Sequence, residues 1–202
     1  PKGLNKETVA PSAVPFSPAL SMSFGTPRAL REDEILDIIQ RFATSAAVCE
    51  KAGFEGVQLH GAHGYLISQF LSPLTNKRQD QWGGTAENRM RFLLEIYKAV
   101  RAATSEQFII SVKLNSADFQ RGGISEEDVI ATFKAIDAAG IDLIEIITIG
   151  QDFCKTVMRF WQSFIYDGFV HCREFRRNRC VSRISIFEII ESIIIAIIFG
   201  GI

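Results

Sequence analysis

Cysteine is scarce in this chain. Four occur in 202 residues, at positions 49, 154, 172 and 180, with no C-x-x-C pair. A disulfide scaffold and a zinc-ribbon spacing are both excluded by that pattern. Charge of one sign is also missing. The 22 Lys and Arg against 23 Asp and Glu leave a net charge of −1, which provides no electrostatic footprint for nucleic acid. No G-x-G-x-x-G follows a candidate strand, so the dinucleotide-binding fingerprint is absent. The apolar run Ile193–Ile202 would reach only about 15 Å as a helix, against roughly 30 Å of bilayer hydrocarbon. Five Arg between His171 and Arg183 precede it, but Glu188 and Glu191 interrupt the approach. We therefore read this end as an aggregation-prone β segment and not as a membrane anchor. Pro1 to Val9 hold no apolar core, so no secretory leader is expected there, and the default setting is reducing and cytoplasmic. What is present is ordinary: 47% hydrophobic and 22% charged residues. Global disorder is excluded on that count. A chain of this length fits one domain able to bury roughly 70% of its extended surface.

The averages conceal two compositions. Residues 1–150 hold all six Pro, all twelve Leu and 15 of the 26 Ile. Residues 151–202 hold no Leu, no Pro, one Ala (Ala196), eleven Ile and seven of the sixteen Phe. Leu and Ala are the best helix formers, and a packed α/β domain does not normally dispense with both over 52 residues. Residue 150 is accordingly read as a boundary. Residues 151–202 are expected to be an Ile/Phe-rich tail, either a separate module or the product of an altered reading frame or retained intron.

Before that boundary the pattern alternates. Residues 1–29 carry loop chemistry, with Pro11, Pro15, Pro18 and Pro27 among Ser and Gly. Glu32, Asp33 and Glu34 suit the positive end of a helix whose apolar stripe is Ile35, Ile38, Ile39, Phe42, Ala46 and Cys49, ending at Gly53. Phe54–Leu59 reads as a buried strand, Tyr65–Leu71 as a short helix and Thr75–Gly84 as a polar loop. Thr85 caps a helix with Phe92, Leu93, Ile96 and Val100 inside. Phe108–Leu114 is a second strand. Ser125 with Asp128 starts a helix burying Val129, Ile130, Phe133 and Ile136, and Ile141–Ile147 is a third strand. Helical connections make these strands parallel. The result is an α/β fold, either a Rossmann-like sheet or part of a (β/α)8 barrel. Chemistry in such a barrel sits at the C-terminal ends of the strands, where this sequence places His60, Lys113 and Asn115.

His60-Gly-Ala-His63-Gly-Tyr65 is the densest polar cluster. Its imidazoles can hold one small polar atom such as a carbonyl oxygen, with a phenol nearby to deliver a proton. Two other readings stay open on spacing alone: a metal site, and two satisfied histidines in a loop. A zinc site needs three or four ligands, and neither His171 nor the Cys offer the spacing, so no metal is expected. Lys113, inside an apolar strand, faces away from Val112 and Leu114. It reads either as a cation for a ligand or as a snorkelling surface residue. Asp80 to Gly84 and Glu87-Asn88-Arg89-x-Arg91 read as scaffold that fixes the loop. Cys49 reads as helix core, and no Cys has a local base that would make it a nucleophile.

The segment Phe54-Glu-Gly-Val-Gln-Leu-His60-Gly-Ala-His63-Gly-Tyr65-Leu-Ile-Ser-Gln-Phe-Leu-Ser-Pro73, with Thr75-Asn-Lys-Arg78, Asp80, Gly83-Gly84 and Glu87-Asn-Arg89-x-Arg-Phe92, resembles the old yellow enzyme family of NADH:flavin oxidoreductases and ene-reductases. Pro11-Ser-Ala-Val14, Pro27-Arg-Ala-Leu30 and Val112-Lys-Leu-Asn115 extend the likeness to about residues 1–147. The resemblance implies a partial (β/α)8 TIM barrel containing strands four to six. It implies FMN as cofactor, NAD(P)H as reductant and a small enone-like alkene as substrate. His60 and His63 would bind the substrate's electron-withdrawing oxygen, Tyr65 would protonate the α-carbon, and Lys113 would sit by N1 and the C2 carbonyl of the flavin. The first-loop Pro and the Gln contact of the family have no counterpart after Pro1, and no Gly/Arg phosphate loop follows Gly150. The alternative reading is an inactive fragment, or the product of wrongly assigned gene boundaries, with no catalytic role. Oligomeric state is not legible.

Overall fold

The computed structural model describes residues 7–17, 25–118 and 120–147. The composition boundary at 150 and the whole tail, with His171, Cys154, Cys172 and Cys180, lie outside them. Two short parallel strands come first, β1 (Val9–Ala10) and β2 (Arg28–Ala29). The sequence reads this region as loop only, because a two-residue ladder joining positions 19 apart leaves no local signature. Arg28 donates to Glu7 and to both oxygens of Glu34, tying this ladder to the next helix. That contact and the Arg31 backbone N–H hold the Glu34 carboxyl down at about 2.

Helix α1 (Glu32–Lys51) carries the three expected acids in its first turn. Ile35, Ile39, Ala43 and Ala46 are its buried residues, while Ile38, Phe42 and Cys49 pack half-buried against the core. Strand β3 is Gly56–Gly61, two residues later than its sequence signal. The Phe54 N–H is captured by the Cys49 carbonyl (3.1 Å) as α1 ends, so the chain extends only after that turn. Helix α2 (Leu66–Leu71) follows, then α3 (Ala86–Ala103), β4 (Ile109–Asn115), α4 (Glu126–Ala139) and β5 (Leu143–Ile147). Thr85 and Ser125 cap α3 and α4 by accepting from the N–H of Asn88 and Asp128. In α4, Ile130 is only half-buried and Thr132 takes the inner place, its hydroxyl bonded to the Asp128 carbonyl.

The sheet runs β3-β4-β5, all parallel, with helices in every connection, as the alternation requires. Strand pleating divides its residues between two faces. Val57, Leu59, Ile110, Val112 and Leu114 meet Phe92, Leu93, Ile96, Val100, Phe133 and Ile136 in one core. Val112 and Leu114 are buried there, as expected of the neighbours of an outward-facing Lys113. Gln58, His60, Ser111, Lys113 and Glu145 occupy the opposite face. This division places polar chemistry on one side of a sheet whose other side is held by packing.

The polar loop Thr75–Gly84, read as scaffold from Asp80 on, is built into the fold. Asn76, 4% exposed, donates to the carbonyls of Phe70 and Trp82. Arg78 donates to the carbonyls of Pro11 and Leu30 and pairs with Asp80, pulling that carboxyl below the usual range. Arg89 is buried and donates to the Leu71 carbonyl, the Gly84 carbonyl and Asp128. One guanidinium thus joins the end of α2, the start of α3 and the start of α4.

Candidate active site

Strand β3 delivers His60 at its penultimate position, in register with Lys113 on β4 and, one strand further, Glu145 on β5. Side chains at one register level of a parallel sheet stand on the same face. The Lys113 ammonium meets Glu145 at 2.9 Å, and Gln58 donates to the other oxygen of that carboxylate at 2.9 Å. The row is therefore His60, Lys113, Glu145, supported from one level below by Gln58.

The chain turns sharply after β3. Gly61 is needed there because a Cβ would stand 2.8 Å from Leu114 Cδ2 and 3.0 Å from the Lys113 carbonyl. His63 adopts φ 60°, in the left-handed region that few non-glycine residues occupy, and Gly64 follows at φ 77°. The His63 N–H donates to Asn115 Oδ1 at 3.2 Å, so the residue at the end of β4 braces this turn. On the far side, Gln69 Nε2 donates to the Gly64 carbonyl (2.7 Å) and Ser68 Oγ to the Tyr65 carbonyl (2.9 Å). The turn brings three rings together. The centroid of His60 lies 5.1 Å from that of His63, edge-on, and 5.0 Å from that of Tyr65.

Burial is the leading cause that holds the His60 pKa below its ordinary value, followed by His63 and Lys113, with Glu145 opposing them. A neutral imidazole results near pH 7, with one N–H donor and one acceptor nitrogen. Tyr65 is 59% exposed, with its phenol open to an incoming molecule. Lys113 keeps two of its three ammonium donors unused among the described residues. The arrangement offers N–H donors to one oxygen, a hydroxyl proton beside them and a cation on the neighbouring strand. Among the described residues no three His, Cys, Asp or Glu are grouped to hold a metal, and no helix is long and apolar enough to cross a membrane.

The chain matches the NADH:flavin oxidoreductase / NADH oxidase family over residues 4–156. It belongs to that family. An NADPH dehydrogenase of a Geobacillus species is 41% identical over 140 residues, covering 69% of this chain and 39% of the relative. The NADH-dependent flavin oxidoreductase nadA of Aspergillus parasiticus is 40% identical over 147 residues, 72% of this chain and 33% of that protein. Among solved structures, the old yellow enzyme homologue of Zymomonas mobilis aligns with TM-score 0.61 at 31% identity, over 69% of this chain and 41% of that one. The resemblance read from the His60–Tyr65 segment is borne out, and so is the fold class, an α/β portion of the old yellow enzyme barrel. FMN and NAD(P)H are the cofactors of the matching family and relatives. The chain spans about two-fifths or less of the length of these proteins.

The structure brings His60, His63 and Tyr65 together and places Lys113 beside them. Sequence reading missed Glu145 and Gln58. Their signal was a charged and an amide side chain within otherwise apolar strands, each two residues or a whole strand from a residue already singled out. Asn115 was noted at the strand end without its bracing role.

Proposed function

We propose that this chain carries the substrate-activating part of an FMN-dependent, NAD(P)H-linked ene-reductase that reduces activated C=C bonds. The observation that carries the reading is the triple ring cluster at the end of β3, with Lys113 in register beside it. Lys113 fits the flavin, as a cation on the polar face of the sheet that keeps two ammonium donors unused among the described residues beside its pairing with Glu145. Its charge favours an anionic reduced ring. The flavin, when bound, supplies hydride to the β-carbon of the alkene.

This chain's own residues do the rest. His60 and His63 donate N–H groups to the carbonyl oxygen of the substrate, stabilising negative charge as it accumulates there. Preorganisation matters, because the Asn115 brace and the Gly61 approach fix the donors before the substrate arrives. Tyr65 gives its hydroxyl proton to the α-carbon and recovers one from solvent through its exposed side. The alkene gains two electrons and two hydrogens, and NAD(P)H is oxidised to NAD(P)+. A small enone is the substrate class this donor set suits, and a cytoplasmic setting supplies the reductant.

The test is direct. The chain is purified with added FMN, its flavin absorbance is measured, and NADPH-dependent reduction of a cyclic enone is followed. Flavin binding with turnover supports the reading. A colourless chain without turnover refutes it and favours a second reading suggested by the partial coverage of the relatives, namely a portion that keeps the site geometry without activity of its own.

A further inference from the structure

Glu145 has no part in the mechanism above, yet both of its carboxylate oxygens are engaged on the active face. One meets Lys113 Nζ at 2.9 Å and the other accepts from Gln58 Nε2 at 2.9 Å. Two anchors from two strands fix the carboxylate, and the carboxylate fixes the ammonium. We propose that Glu145 is the positioning residue of this corner: it sets where the Lys113 ammonium stands and how much of its positive field reaches His60 and a bound flavin. The inference rests on the flavin reading for its functional meaning, but its geometry stands apart from it.

The physical argument concerns charge along one register row. His60 faces His63 and Tyr65 from the following turn, Lys113 from β4 and, beyond it, Glu145 from β5. An unpaired Lys113 would present a full positive charge one strand from His60. With Glu145 in contact, the pair is a dipole pointing along the row, and its far field is much smaller. Lys113 and Glu145 have opposite effects on His60, the first lowering and the second raising its pKa. The carboxylate also withdraws one ammonium donor from ligand contact and directs the remaining two. Sheet packing alone would be served by any isostere of Glu145. Only the charge-setting role requires the carboxylate.

The test uses the full chain without flavin. The His60 ring protons are titrated by NMR in the wild type, Glu145→Gln, Glu145→Asp, Lys113→Met and the Glu145→Gln/Lys113→Met double variant. Expected is a His60 midpoint lower than wild type in Glu145→Gln, higher in Lys113→Met and moved back towards wild type in the double variant. Glu145→Asp should restore most of the wild-type value. A Glu145→Gln midpoint equal to or above wild type, with an unchanged circular dichroism spectrum, overturns the proposal. If Glu145→Gln does not fold, Lys113→Met decides, and a midpoint that fails to rise overturns it. FMN is then added to the same proteins. Lys113→Met should weaken its binding by roughly tenfold, the loss of one charge-assisted contact. Absence of flavin binding in the wild type refutes the flavin reading and leaves the His60 comparison to judge the charge row.

Discussion

Replacing Arg89 by Met keeps the buried stem and removes the guanidinium. The side chain is only 10% exposed and its donors reach the Leu71 carbonyl at 2.9 Å, the Gly84 carbonyl at 2.6 Å and Asp128 at 2.5 Å. Hydrogen bonds from a charged donor contribute about 1.5–3 kcal/mol each, and a buried acceptor left without a partner costs about 1–3 kcal/mol. Asp128 is 24% exposed and recovers part of its loss in water. Breaking one side of a buried pair costs about 3–5 kcal/mol, and the exposure of Asp128 puts this case near the lower end, about 3 kcal/mol. For a chain of this length that lowers the thermal midpoint by about 6–12 °C. Far-ultraviolet circular dichroism during heating measures it directly. Asp128→Asn should cost less, and the pair of substitutions should couple by about 1 kcal/mol or more in a double-mutant cycle. A midpoint for Arg89→Met within about 2 °C of wild type would show that the three-way junction does not hold α2, α3 and α4 together.

Tyr65→Phe should lower the rate of enone reduction by about 10²-fold or more with little change in KM, since only the proton donor is lost; steady-state kinetics decides, and an unchanged kcat removes Tyr65 as the acid. His60 has a folded-state pKa below its ordinary value, so the unfolded chain binds more protons between the two values. Its contribution to stability is complete above about pH 6.5 and is lost as the pH falls through the folded value. Urea midpoints measured across that range should fall with pH in the wild type and fall less in His60→Gln; identical slopes would contradict it. Gly61→Ala puts a methyl 2.8 Å from Leu114 Cδ2 and 3.1 Å from Ile67 Cγ2. It should cost about 1–3 kcal/mol by overpacking, read as a lower urea midpoint, and no loss would mean that the turn after β3 can shift away from β4.

Local features were legible and long-range ones were not. The caps Thr85 and Ser125, the acids opening α1 and the glycines that end α1 and α4 act within a few residues, so spacing alone reveals them. The scaffold reading of Asp80 to Gly84 and Glu87 to Arg91 followed from a charge cluster at a helix start, and it left out Arg78. Neither the role of Arg78 nor the partners of Arg89 followed, because the carbonyls of Pro11, Leu30 and Leu71 carry no residue identity. Strand β3 began two residues late because the end of α1 captured an N–H that the apolar pattern assigned to the strand. Ile130 is half-buried because the inner stripe of α4 is Val129, Thr132, Phe133 and Ile136, at i, i+3, i+4 and i+7, and Ile130 stands beside it, a place that hydrophobicity alone does not reveal.

The active corner shows the same limit at closer range. His60 and Tyr65 were found because only four residues of chain separate them. Lys113 was found because a cation in an apolar strand stands out. Glu145 had the same signal, a charge in an apolar strand, yet no meaning until the register was known. A shift of one residue between β4 and β5 would turn its side chain into the helix-packed core. The observed register puts it opposite Lys113 instead, converting an isolated charge into a partner. Ile144 and Ile146, the β5 residues on that side, are half-buried against the core, and a carboxylate in their place would lose water without gaining a partner, so the same charge that tunes the site also favours the register that creates it.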